Sequence, residues 1–423
     1  MPHQVALTVV APIRPGSRDA VERALHAAGA GGPPQASVPF AQMTGVHFAR
    51  LFLLRADVSG AGDPLPERLI LMSDVDAPLE RHVSELCDIG GPSLDAILRH
   101  CEGYPEAPDP ANRRAYLERH AVSAATAYVN TVGRGLAQVL LEQRLRDEIE
   151  RYLDEHRDEL AGRPALEIRE RIQEFVAADA DLRPALQPAA PPDLGFRIGE
   201  AIHLVLVPVG LLALSPILLV ALPVGVVVLR IHEERDREDT RRPDDAWVDM
   251  LASREDHSIQ NPFVAAGPLK PGPFRRGLTT TVLWVAGYAV RHIFNHANLA
   301  GVKTIHFARW VFLDDKRRVV FASNYDGSVE SYMDDFIDKV AWGLNATFSN
   351  GVGYPKTRWL FFGGARNERV FKDVLRRHQQ PVQVWYSAYP DLTARNVNQN
   401  EQFRAGLSGS MSAKEAAAWL QLL

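Results

Sequence analysis

A handful of short strings occurs twice in this chain, in the same order and at nearly the same spacing. Val46-His47-Phe48-Ala49-Arg50 returns as Ile305-His306-Phe307-Ala308-Arg309, and Pro12-Ile13-Arg14-Pro15-Gly16 returns as Pro268-Leu269-Lys270-Pro271-Gly272. Ser73-Asp74-Val75-Asp76 matches Ser323-Asn324-Tyr325-Asp326, each followed four residues on by a glutamate, Glu80 or Glu330. Gly103-Tyr104-Pro105 matches Gly353-Tyr354-Pro355, and Leu117-Glu118-Arg119-His120 matches Leu375-Arg376-Arg377-His378. The offsets are 259, 256, 250, 250 and 258 residues. A near-constant offset means one structural unit used twice, which excludes most of the folds a chain of this length could adopt.

Within each copy the hydrophobic pattern reads β-α-β-β-α-β. The first has strand-like runs at 5–10, 46–54, 68–73 and 124–129, with helical patterns at 17–28 and from 79. The second has strands at 263–266, 304–313, 318–323 and 382–388, with helices near 278–294 and 329–340. This order is the ferredoxin-like motif, a four-stranded antiparallel sheet with helices on one face only. Two bare faces can cover each other. The expected fold class is therefore α+β: tandem ferredoxin-like repeats, at 1–135 and 251–423, packed as a pseudo-dimeric α/β barrel or sandwich, with an inserted apolar membrane-associated helical segment.

Composition narrows the function classes. A net charge of −5 gives no electrostatic case for nucleic acid. Cys87 and Cys101 both lie in the first copy, and Cys101 aligns with Gly351, which argues against a metal cluster or disulfide framework and suits a reducing compartment. The N-terminus lacks the basic start and apolar run of a secretory signal.

Between the copies, 136–195 opens with a charge-rich amphipathic pattern, expected to form a solvated helix, and ends in a Pro/Ala-rich linker. The apolar segment, 196–232, contains 29 consecutive residues, Ala201–Leu229, without a formal charge. A charged linker, 233–250, follows. As one helix the uncharged run would reach about 44 Å, against the ~30 Å of a bilayer's hydrocarbon core. A break near Ser215-Pro216 would instead give two arms of about 14 residues, ~21 Å each, long enough to enter one leaflet but not to cross. The re-entrant hairpin is preferred because a single span would hold the repeats on opposite sides of the membrane, where neither could cover the other's bare face. A pair of helices buried in the protein is the third reading. Arg230, Arg235, Arg237, Arg241 and Arg242 follow the segment and point to the cytoplasmic face.

His47 and His306 each precede an arginine, Arg50 or Arg309, by three positions, so strand alternation predicts that each pair splits between the two sheet faces. Such a pair either lines a cavity between the sheets or serves as internal hydrogen-bonding that the unit needs to fold. Asp76 and Asp326 precede helices and read as N-caps, with a proton-handling carboxylate at Asp326 as the alternative. His292 and His296 have the spacing of two metal ligands on a helix, without the glutamate of zincin chemistry. The copies differ most at Asn324–Ser328 and Asn350–Tyr354, so a working site is expected in the second copy. Asn324, Tyr325, Glu330, Asn350 and Tyr354 are its candidate ligand-binding residues.

The Asp326-Gly327 pair after a strand, in a tandem chain of this pattern, resembles the dye-decolourising peroxidase and chlorite dismutase superfamily of dimeric α/β barrels. That resemblance implies haem beside one sheet, a distal Asp326 within Ser323-Asn324-Tyr325-Asp326-Gly327, a distal Arg309, and His306 or His378 as iron ligand. Ser323 stands where the peroxidase motif has glycine. The His-Phe-Ala-Arg and Ser-Asn-Tyr-Asp-Gly-Ser strings are similar more closely to an uncharacterised bacterial family of tandem ferredoxin-like repeats, which implies no activity.

Two functions follow as expectations. The first is a membrane-associated binding or scaffold protein whose partners are the lipid bilayer and a small or lipophilic ligand. The second, implied by the resemblance, is a haem-dependent peroxidase-type oxidoreductase using Asp326, Arg309 and His306. Either is compatible with a homo-oligomer.

Overall fold

Three nine-residue strands recur in each half of the chain. The computed structural model describes residues 3–29 and 38–423, so Met1 and Pro2 of the N-terminal run lie outside it. The first half supplies β1 (Gln4–Pro12), α1 (Arg18–Gly29), β2 (Val46–Leu54), β3 (Arg68–Asp76), α2 (Leu79–Asp88) and a short β4 (Thr126–Val129). The longer connecting helices that follow are α3 (Leu136–Glu155), α4 (Ala165–Ala178), α5 (Leu194–Ala213) and α6 (Ser215–Arg235). The second half then gives β5 (Gln260–Pro268), α7 (Pro273–His292), β6 (Ile305–Leu313), β7 (Arg318–Asp326), α8 (Val329–Phe348), α9 (Glu368–His378) and a short β8 (Val384–Ser387). The chain closes with α10 (Ala394–Ala405) and α11 (Ala413–Leu420).

The strands form two four-stranded antiparallel sheets, ordered β1-β3-β2-β8 and β4-β6-β7-β5. The closing strands are exchanged. β4, expected to complete the first sheet, pairs with β6 of the second, Thr126 opposite Trp310. β8 pairs in turn with β2, Val384 opposite Leu51. Each closing segment first touches its own half: the Val10 amide donates to the His120 carbonyl, and that of Val122 to the Thr8 carbonyl. Three residues later the Ala125 amide donates to Trp310 of the other sheet. The second half repeats this, with Gln380 donating to Val264 before the chain reaches β2. Neither 1–135 nor 251–423 therefore contains a whole sheet.

The long strands are buried along both faces. On one face of the first sheet Val46, Ala49, Leu51 and Leu53 pack with Val21 and Leu25 of α1. On the other, Phe52, Leu54, Ile70 and Met72 meet Val264, Val311 and Val320 of the second sheet. Each such side chain contributes roughly 1.5–3 kcal/mol of burial, so this shared layer holds the halves together strongly.

The charge-rich helices are not merely solvated. Leu145 and Ile149 of α3, with Ile172 and Val176 of α4, bury against Phe403 and Trp419 of the C-terminal helices.

The apolar segment breaks at Leu214, beside the expected Ser215-Pro216, into α5 and α6 of 20 and 21 residues. Each is ~30 Å long and so, by length and apolarity, able to cross a membrane. The shorter arms expected from the uncharged run are corrected because both helices continue through charged residues, Arg197 and Glu200 in one and Arg230 to Arg235 in the other. Their outer ends rest at opposite ends of α7: His232 stacks on Phe274, and the Tyr288 hydroxyl donates to the Leu204 carbonyl. A straight helix from His203 to His232 would run ~43 Å, whereas Phe274 and His292 are ~27 Å apart along α7, so the pair is bent at Leu214. Its apolar side chains face outward; Leu212 is 74% exposed and Leu219 75%.

Candidate ligand-binding cavity

The polar residues repeated in both copies converge between the sheets. A β-bulge shifts the register between Val46 and Phe48, and another between Ile305 and Phe307. It defeats simple alternation, so histidine and arginine both face the layer between the sheets and do not split across two faces. His47 Nε2 lies 3.0 Å from Asp76 Oδ1, and His306 Nε2 lies 2.7 Å from Asp326 Oδ1. The second oxygen of each aspartate accepts a helix N-terminal amide, from Leu136 at 2.9 Å and Ala394 at 2.7 Å. The aspartates thus serve helix termini, favourable for an anion, but those of α3 and α10 rather than the helices that directly follow them. At α8 the side-chain cap is Ser328, whose oxygen accepts from Ser331.

The arginines cross between the sheets. Arg50 donates to the Phe263 and Ser323 carbonyls, and Arg309 to the Leu7 and Ser73 carbonyls, Thr8 Oγ1 and Asp74. Asp326, Arg309 and His306 are thereby brought into one buried layer with their polar atoms directed at protein partners. His378 lies elsewhere, half-buried against Gly267, and desolvation pushes its pKa down from the ordinary 6.5.

The candidate ligand-binding residues scatter. Tyr325 stacks on Tyr332, and Asn324 donates to Asp74. Glu330 is exposed and paired with Lys372 at 3.0 Å. Asn350 accepts from Arg275, and Tyr354 donates to Asn345. His292 faces His203 at 2.7 Å, while His296 pairs with Thr131 through its backbone. Among the described residues no group of three or more metal-ligating side chains converges.

An apolar space able to take a ligand lies on the outer face of the second sheet. A cavity of about 450 Å³ is floored by Phe263, Trp310 and Phe321 and walled by α7 and α8, and no polar atom faces it. At the corresponding place in the first half, Val21 and Leu25 of α1 pack directly onto the sheet. Position 82, a histidine bonded to Ser73, becomes Tyr332 bonded to Ser323 and lining the cavity. The non-helical backbone at Val340 (φ −135°, ψ 25°) bends α8 along the wall.

The rim is aromatic and exposed, with Trp342 at 49% and Phe361 at 45%. Phe361 belongs to a tight loop, 357–363, in which Trp359 and Leu360 hold positive φ of 56° and 66°. Two consecutive non-glycine residues in that region are costly and need firm support. Glu233 of α6 supplies it: its buried carboxylate accepts from the Trp359 amide at 2.9 Å, the Leu360 amide at 2.8 Å and Thr357 Oγ1 at 3.0 Å. From inside, Asn345 Nδ2 donates to the Phe361 and Gly363 carbonyls. The apolar helix pair is tied in below by Asp236, which accepts from Lys270 and Arg275, both at 2.7 Å. Asn350 and Tyr354, expected as ligand contacts, sit within this network, Asn350 bonded to Arg275 and Tyr354 to Asn345.

Haem iron is held by a His, Cys, Met or Tyr side chain; the walls carry no His or Cys, and the hydroxyl of Tyr332 is engaged with Ser323. The residues present do not fit that group here. No protein-family model matches the chain, and no curated protein or solved structure matches it either.

Proposed function

We propose that this is a membrane-docked protein that holds a lipophilic ligand in the apolar cavity of its second half. The observation that carries the reading is continuity. The cavity is walled by α7, the same helix that carries both outer ends of the exposed apolar pair α5–α6. Side chains as exposed as Leu212 and Leu219 are unfavourable in water over so large a patch and favourable in a bilayer. With both ends fixed to one body, the pair enters the membrane and returns. Arginines following α6 favour the cytoplasmic leaflet.

We read the frame as two ferredoxin-like halves closed into a pseudo-dimeric barrel. Support comes from the matching strand orders, from Ala121 and Gln379 bridging β1 and β5 before each closing strand crosses, and from the reciprocal arginines. The peroxidase reading has less behind it, since Asp326, Arg309 and His306 are engaged inside the protein.

The test is solvent extraction of protein purified from membranes in mild detergent. The reading expects a near-stoichiometric lipophile that is lost when Ala289→Trp fills the cavity. An empty wild-type extract, together with no uptake of added lipophile, would refute it.

A further inference from the structure

The shape and lining of the cavity narrow the class of lipophile, given the reading of this cavity as a ligand site. No polar atom faces the space, so a headgroup placed inside would lose its hydrogen bonds to water without replacement. Only hydrocarbon belongs there. The α8 residues along the wall run from Met333 to Phe348, a path of ~22 Å. A volume of about 450 Å³ spread over that path gives a cross-section near 20 Å², close to that of one extended alkyl chain. At roughly 27 Å³ per packed methylene the volume corresponds to about 12–16 carbons, depending on how tightly the chain fills it. The bend at Val340 makes the path a curved one, which a flexible chain can follow and a rigid fused-ring lipid cannot.

We propose that the cavity takes one unbranched hydrocarbon chain of a membrane amphiphile, methyl end first, with the polar end left outside at the rim of Val285, Trp342 and Phe361. The lipid chains surrounding α5–α6 are the source. The chain passes from bilayer to protein without its methylenes meeting water, and the headgroup stays at the interface, where exposed tryptophans commonly sit.

The experiment displaces a fluorescent polyene fatty acid from the purified full-length protein with 1-alkanols of 8 to 20 carbons. Affinity should rise about fourfold per methylene, then level off or fall beyond about 12–16 carbons. Ala286→Phe should move that break to shorter chains by roughly three or four carbons, and Phe336→Ala should move it to longer ones. The opposed shifts guard against a variant that merely misfolds, and circular dichroism of each confirms the fold. Affinity that climbs without a break to 20 carbons would overturn the single-chain assignment while leaving a lipophile site standing. So would a rigid four-ring lipid that displaces the probe better than any alkanol. If neither the polyene nor the four-ring lipid binds, the reading of the cavity as a ligand site falls with it.

Discussion

Arg50 and Arg309 make the same hydrogen bond in opposite directions across the molecule. Arg50 donates to the Ser323 carbonyl at 2.9 Å and Arg309 to the Ser73 carbonyl at 2.9 Å. Each arginine leaves its own sheet to hold the backbone of the other. The two differ in one respect: Arg309 also pairs with Asp74, and Arg50 has no such partner in the second half, where Asn324 stands at that place.

That asymmetry predicts unequal costs. Arg309→Met strands the buried Asp74 carboxylate and should destabilise by about 3–5 kcal/mol. Arg50→Met strands only carbonyls and should cost about 1–3 kcal/mol. Adding Asp74→Asn to Arg309→Met should recover some of the loss. Urea unfolding of the four proteins measures all three statements, and equal losses for the two arginines would contradict them.

Stability should decline in acid through a specific group. Burial, reinforced by the neighbouring Arg81, holds the His82 imidazole down at about 4 from its ordinary 6.5. Above pH 6.5 the ring is neutral in both folded and unfolded chains and contributes nothing. Between pH 6.5 and 4 the unfolded chain binds the proton and the folded chain does not. Unfolding becomes easier across that window, by up to about 3 kcal/mol. His378, lowered by its own desolvation, acts in the same direction. Thermal unfolding at pH 7.5 and 4.5 should show the drop, and His82→Phe should reduce it.

Glu233 ties the loop at the cavity rim to the apolar helix α6. Glu233→Ala removes the acceptor for two adjacent amides held at positive φ. Amide exchange at Trp359 and Leu360 should quicken by roughly 10–100-fold, corresponding to ~1–3 kcal/mol of lost local stability. Exchange in β2 and β3 should not change. Unaltered protection at the loop would show that Glu233 does not hold it.

Charges on the outward face of the helix pair should weaken membrane binding. Leu212→Lys and Leu219→Lys each place an ammonium where an exposed leucine now stands. At roughly 2.5–3.5 kcal/mol for a lysine deep in the bilayer, either should cut vesicle flotation at least tenfold while leaving the fold intact.

Much of the frame could be read from the repeated strings, and its limits have physical causes. The strands around His47 and His306 were legible because alternation and β-branched residues report local conformation. The exchange of Thr126–Val129 and Val384–Ser387 was not, because a strand's sequence does not say which edge it will meet. The β-bulges at Val46/Phe48 and Ile305/Phe307 reversed the expected facing because one extra residue resets the two-residue period. The break beside Ser215 was legible from its proline, but the helix lengths were not, since Glu233 is satisfied by partners far along the chain. The cavity was missed altogether: Val285, Phe336 and Trp342 read as ordinary core or surface residues. The signals that pointed toward it were the longer helical patterns of the second copy and the aromatic run Trp359-Leu360-Phe361-Phe362.

The central claim is that a hydrocarbon chain occupies the space above Trp310. A bromine-labelled fatty acid quenches tryptophan only on contact, and Trp310 and Trp342 both line the cavity. Titrated into the purified full-length protein, the brominated chain should quench fluorescence saturably at about one chain per protein. That component should vanish when Trp310→Phe and Trp342→Phe are combined. Quenching that never saturates, or that survives in the double variant, would contradict the account.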